Sequence, residues 1–244
     1  GSALTLLLLG WNRAYKAQKK HVRDVQELER ALEKSDKYVQ HIWEEKHQHH
    51  RALLTSRKLS GYLSAELVEQ VLEDPGAAPT LGGEKVDAAV LFADIVGFTS
   101  RSEKMDPERV VQELNHYFSY IDPVLEHHDG VLDKRMGDGI MVVFVPRSGE
   151  TPEDVRRRAL RCGLALLRTV DAQNPESAAQ GIEPVQIRVG IAAGPTVRGN
   201  IGSDTQIEYT VIGDTVNLGA RLESRAEPGR LMVTRNIFEA AEDV

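Results

Sequence analysis

The stretch DGVLDKRMGDGIMVVF, residues 129–144, decides how the rest of the chain is read. Residues 131–135 and 140–145 carry the β-branched and apolar side chains of strands, and Asp129-Gly130 and Gly137-Asp138-Gly139 are turn chemistry. The spacing predicts a β-hairpin with Asp138 at its tip. Aspartate favours turns for local reasons, so Asp138 alone says little about function. Upstream, VDAAVLFADIVGF (86–98) reads as a buried strand running into a loop. Asp106-Pro107 then opens a helix, with Asp as cap and Pro in the first turn. Val110, Val111, Leu114, Phe118, Ile121 and Leu125 give that helix an apolar face. Downstream, Thr151-Pro152-Glu153-Asp154 opens a second helix with a capping pattern, running through Ala159, Leu166 and Val170. VQIRVGIAA (185–193) and IEYTVIG (207–213) read as strands, Asp214 as the cap of a helix through Ser224, and RLMVT (230–234) as the last visible strand. The order strand-helix-strand-strand-helix-strand predicts a ferredoxin-like α/β (α+β) domain.

The N-terminal third reads differently. Gly1-Ser2 has the look of an expression scar, and the apolar segment that completes residues 1–10 is shorter than the roughly 20 residues a bilayer requires. Arg13, Lys16, Lys19, Lys20 and Arg23 follow, so the segment reads either as the cytoplasmic end of a membrane helix or as a helix start packed on a partner. Residues 11–60 are expected to form a helical stalk. Val25, Leu28, Leu32, Val39 and Ile42 fit a heptad pattern that Ser35 interrupts, and a parallel two-stranded coiled coil is favoured because nothing nearby offers another core. His47 and His50 are three apart, a spacing that many solvated histidines share, so they are read as solvated rather than as a metal site. Residues 61–83 hold a short helix capped by Ser64, stopped by Asp74-Pro75-Gly76, and a linker; a domain spanning 84–244 follows.

Composition narrows the function. Of 244 residues 41% are hydrophobic and 27% charged, ordinary values for a globular chain with a real core. A net charge of −7 argues against nucleic acid as a partner. The only cysteine, Cys162, excludes an internal disulfide and a cysteine zinc cluster.

In a strand-helix-strand-strand unit the first strand neighbours the hairpin, so Asp94 at the end of FADIVGFTS and Asp138 at the hairpin tip are expected to meet. Two adjacent carboxylates repel unless a cation lies between them. Oxygen ligands of this kind suit Mg²⁺ or Mn²⁺, with substrate phosphates completing the shell. The loop after Asp94 precedes a helix, and its backbone N–H groups, those of Phe98 and Thr99 among them, could face phosphate oxygens. The combination points to two-metal phosphoryl chemistry on a nucleotide. In YTVIGDTVNLGARLES (209–224), Asn217 and Arg221 are four apart and share a helix face. An arginine there can stabilise charge that grows on a phosphate.

FADIVGFTS, DKRMGDGIMVVF and YTVIGDTVNLGARLES, in this order and separation, resemble the class III nucleotide cyclases, the adenylyl and guanylyl cyclases, over residues 84–244. The resemblance implies a homodimer with sites at its interface, acting on ATP or GTP and releasing pyrophosphate. It implies that Asp94 and Asp138 bind two metal ions with help from the Ile95 carbonyl. It implies that Asn217 positions the ribose and Arg221 contacts the phosphate, both from the opposite protomer. The base-reading positions are Lys134, four before Asp138, and Thr210. Lysine only donates, which suits adenine N1, and the Thr210 hydroxyl can accept from the adenine amino group. Thr210 departs from the Asp of many adenylyl members and the Cys of guanylyl ones, and is similar to a bacterial-type adenylyl subgroup. The expectation is therefore an adenylyl cyclase using ATP, in the cytoplasm or on the cytoplasmic face of a membrane, below an anchor or sensor segment. A guanylyl cyclase and a catalytically inactive sensor or dimerisation domain are the alternatives. Family members also continue beyond the point matching Val244, with final strands and a Lys that contacts the triphosphate, so the domain is expected to be C-terminally incomplete.

Overall fold

The computed structural model describes residues 81–203 and 206–241. The expected stalk, the short helix and nearly all of the linker lie outside the described residues. The first strand, β1 (Gly82–Ile95), is the centre of the domain. Its run Ala88–Ala93 is buried throughout because each face of the sheet is covered. Alternation along it assigns Ala89, Leu91 and Ala93 to one core and Ala88, Val90 and Phe92 to the other. Helix α1 (Phe98–Ser102) follows, then α2 (Pro107–His127), the hairpin β2 (Val131–Met136) and β3 (Gly139–Phe144), and α3 (Pro152–Ala179). Strands β4 (Ile187–Ser203) and β5 (Gln206–Ile212), helix α4 (Asp214–Arg225), strand β6 (Leu231–Val233) and helix α5 (Arg235–Glu239) complete the order.

The sheet runs β2-β3-β1-β4-β5, with β6 parallel to β4. β3 and β4 flank β1, both antiparallel to it, with Ala93 opposite Ile140 and Asp94 opposite Arg188. The order β4-β1-β3-β2 is that of the expected ferredoxin-like unit. One face packs against α2 and α3 through Tyr117, Ile121, Leu125, Ala159, Leu166 and Val170. The other packs beneath α4 through Phe92, Met141, Val143, Val216 and Ala220. Each fully buried large side chain, Leu91 or Phe144 for example, contributes roughly 1.5–3 kcal/mol relative to exposure. Cys162 is one of these core groups, and burial pushes its thiol up to about 12, so it is inert.

Three expectations are corrected. Val111 is exposed, and Glu113 and Tyr117 take the buried face of α2. Glu113 can do so because Arg101 and Arg109 neutralise it, at 3.0 and 3.1 Å. Strand β4 continues through Gly194-Pro195 to Ser203, where the sequence pattern stops at Ala193. Proline supplies no ladder donor, and the Thr196 hydroxyl beside it donates to the Val86 carbonyl at 3.0 Å instead. Gly213, not Asp214, holds the N-cap position of α4, whereas Asp106 is the N-cap of α2 as expected, without a side-chain hydrogen bond. Thr151 and Asp154 do form the expected reciprocal capping box. Among the described residues no helix is long and apolar enough to cross a membrane.

Candidate active site

Asp94 and Asp138 meet at one edge of the sheet. Asp94 is the penultimate residue of β1, and the β2–β3 turn beside it is a two-residue turn, Gly137-Asp138, closed by the pair Met136–Gly139. Gly137 has φ +70° and Asp138 does not share that sign, the pattern of a type II′ hairpin turn, which requires glycine first. Gly139 leaves room for the acid: a Cβ there would lie 3.1 Å from Asp94 Oδ1. The Ile95 N–H donates to Asp138 Oδ2 at 3.2 Å, so Ile95 is tied to the second acid through its amide. Burial and then the adjacent Asp94 push the Asp138 carboxyl up to about 6, while hydrogen bonds from backbone N–H groups pull it partly back.

This pair fits a hard divalent cation. The donors are all oxygen, and the raised Asp138 carboxyl records the repulsion that a cation would relieve. Among the described residues no cluster of three or more His, Cys, Asp or Glu surrounds one point. The remaining ligands would therefore be main-chain carbonyls, waters and substrate phosphates, as is usual for Mg²⁺.

Two neighbours of the site escaped sequence reading. Arg188 Nη2 lies 3.3 Å from Asp94 Oδ2, and its Nε is 3.4 Å from Glu223 on α4, close enough for charge attraction but not aligned as a hydrogen bond. Arg188 thereby links the acid edge to α4. Tyr117 is buried with its hydroxyl unpartnered, and burial, Tyr120 and the two acids raise its pKa. Neither had a sequence signal, because each depends on contacts between distant segments.

Helix α4 lies directly on the sheet through glycines: a Cβ on Gly190 would stand 2.1 Å from the Glu223 nitrogen. Asn217 and Arg221 are exposed on its outer side, sharing a face as expected. Phe98 buries its ring in the core beneath the Arg101 guanidinium, 5.2 Å from the ring centroid, so only its main chain can meet a ligand; Thr99 is exposed. Lys134 and Thr210, 76 positions apart, are brought together. The Thr210 hydroxyl donates to Asp133 Oδ2 at 2.8 Å, Lys134 Nζ is 3.5 Å from the same carboxylate, and Lys134 also pairs with Glu208. Asp133, Thr210, Val131, Val143 and Tyr209 line one crevice there. Asp133 was not singled out from the sequence.

The fold is an α+β domain built on an antiparallel sheet, with two acids together at one end of its central strands and an exposed Asn/Arg face on the helix that covers one side. The chain belongs to the family of adenylate and guanylate cyclase catalytic domains, whose sequence profile matches residues 83–243. The uncharacterised protein Rv1319c of Mycobacterium tuberculosis is 35% identical over 168 residues, 68% of this chain and 29% of that protein. The chain thus spans under a third of the length of that relative. The solved guanylyl cyclase Cya2 is 37% identical with a TM-score of 0.61, covering 67% of this chain and 82% of that one. The adenylyl cyclase CyaB from P. aeruginosa is 34% identical with a TM-score of 0.63, covering 67% and 84%.

Proposed function

We propose that the chain is the catalytic domain of an adenylyl cyclase, which converts ATP to 3′,5′-cyclic AMP and pyrophosphate at a homodimer interface. In this reading Asp94 and Asp138, with the Ile95 carbonyl, hold two Mg²⁺ or Mn²⁺ ions. Such ions, when bound, activate the ribose 3′-oxygen and stabilise the leaving pyrophosphate. The 3′-oxygen loses its proton and attacks the α-phosphorus, and the bond from that phosphorus to the bridging oxygen breaks. Arg221 of the partner subunit stabilises the charge growing on the α-phosphate, and Asn217 of the partner subunit orients the ribose. The main-chain N–H groups at Phe98 and Thr99 face the phosphates. The ATP substrate puts the domain in the cytoplasm or on the cytoplasmic face of a membrane, below the anchor or sensor segment of a longer protein.

The observation that carries the shared site is the exposure of apolar side chains beside it. Of the seven exposed large apolar side chains among the described residues, three, Met136, Ile212 and Leu218, lie within two residues of a site residue, namely Asp138, Thr210 and Asn217, and the other four, Leu81, Val111, Met232 and Phe238, lie elsewhere. Apolar side chains left exposed around a polar site read as an interface. The choice of adenine rests on Lys134 and Thr210, since the solved relatives include a guanylyl and an adenylyl cyclase. Initial rates with ATP and with GTP test it: ATP should be preferred, and Lys134→Glu with Thr210→Cys should weaken ATP use by roughly 1–3 kcal/mol in kcat/KM. A wild-type preference for GTP would overturn the assignment.

A further inference from the structure

Thr210 is a poor discriminator on its own. A hydroxyl both donates and accepts, so it can serve the amino group of adenine or the carbonyl of guanine equally well. Its surroundings in the fold remove that freedom. The register of β2 against β3 slips between Leu132 and Lys134, and Asp133 occupies the extra position. Asp133 lines the same crevice as Thr210, and its side chain is only 5% exposed. Burial raises the Asp133 carboxyl while the Thr210 hydroxyl and Lys134 favour its charged form, and as a carboxylate it only accepts, so in the 2.8 Å contact Thr210 donates to Asp133. The Thr210 lone pairs are what remain for a ligand. Lys134, 3.5 Å from the same carboxylate, balances its charge and is itself a pure donor. Glu208 holds Lys134 through an ion pair in which Glu208 is 58% exposed, a contact weak enough to give way to a base.

We propose that Asp133 is the positioning residue that fixes the sense of base recognition: by accepting the Thr210 hydrogen bond it leaves Thr210 an acceptor only, so that Lys134 and Thr210 together match adenine N1 and the adenine amino group and mismatch guanine. This rests on the adenylyl cyclase reading above. Asparagine at 133 keeps the shape but can turn its amide donor toward Thr210, which frees the hydroxyl proton to face the ligand.

The test is the ratio of kcat/KM for ATP over GTP, measured with Mn²⁺ on the full-length dimeric protein. Asp133→Asn should lower the ratio about tenfold, with KM for ATP rising more than kcat falls. In a Thr210→Val background the same change should leave the ratio where Thr210→Val alone puts it. Should Asp133→Asn fail to fold, Thr210→Ser should keep the preference and Thr210→Val should lose it. With a wild type that prefers ATP, an unchanged ratio in Asp133→Asn overturns this inference and leaves the adenylyl reading standing. So does an equal loss on both nucleotides, or a further fall in the Thr210→Val background. A wild type that prefers GTP overturns both.

Discussion

Glu113→Ala removes the carboxylate on which the segment after Asp94 and Ile95 rests. Glu113 is 5% exposed and accepts from Arg101 at 3.0 Å and Arg109 at 3.1 Å. Arg109 is half exposed and can return to water. Arg101 cannot do so fully: its side chain is 20% exposed, it lies over Phe98, and its other acid, Glu183, stands 3.7 Å away in solvent. Removing one partner of a buried pair costs roughly 3–5 kcal/mol, because the other charge is stranded. The residual exposure of Arg101 and the nearby Glu183 put the expected loss near the lower end, about 3 kcal/mol. At about 2–4 °C per kcal/mol for a domain of this size, Tm should fall by about 6–12 °C. Arg101→Met with Glu113→Leu should recover most of this, since apolar groups of similar volume replace a buried pair at little cost. Helix α1 follows Asp94 and Ile95 after only Val96 and Gly97, so Glu113→Ala should also raise the Mn²⁺ concentration needed for half-maximal activity. Urea unfolding of the single and double variants measures the stability terms. A loss under about 1 kcal/mol, or a double variant no more stable than Glu113→Ala, would refute the reasoning.

Two further outcomes follow from the same geometry. The Asp138 carboxyl, raised from 3.8 to about 6, holds its proton more tightly folded than unfolded, so it costs stability as pH climbs from about 4 and costs most above about 6. In EDTA at pH 7.5, Asp138→Asn should therefore be more stable than wild type by about 1 kcal/mol after allowing for its partial exposure, with no difference near pH 4. Thermal melts check this, and Mn²⁺ should raise the Tm of wild type more than that of the variant. Gly190→Ala would set a Cβ 2.1 Å from the Glu223 nitrogen and 2.5 Å from the Gly219 carbonyl oxygen, lifting α4 off the sheet. It should cost roughly 1–3 kcal/mol in urea unfolding and, by displacing Arg221, lower kcat about a hundredfold.

Much of this was legible in the sequence where the signal is local or the topology simple. The Gly-Asp-Gly hairpin, the unbroken apolar run of β1 and the Thr151 cap each state their structure within a few residues. The meeting of Asp94 and Asp138 follows from adjacency of β1 and β3, which the order of elements implies. The misses are long-range. Gly194-Pro195 reads as a strand break, yet the ladder with β1 carries β4 through it, with the Thr196 hydroxyl supplying a donor beside the proline. Glu113 gives no apolar signal, and its burial depends on Arg101, twelve residues away, which neutralises it. Asp133 and Arg188 show no pattern, because their meaning lies in Thr210, Asp94 and Glu223, far off in the chain.

The measurement closest to the central claim mixes two inactive proteins. Asp94→Ala loses an acid proposed to bind metal and Arg221→Ala loses the arginine proposed to contact the phosphate, so each alone should be at least about a hundredfold below wild type. If each site takes its acids from one protomer and its arginine from the other, a heterodimer of the two carries one whole site. With equal amounts and free exchange, half the dimers are mixed and each has one of its two sites intact, so activity should return to about a quarter of wild type. No recovery in a mixture whose heterodimers have been demonstrated by co-purification through two tags would contradict a site shared across the interface.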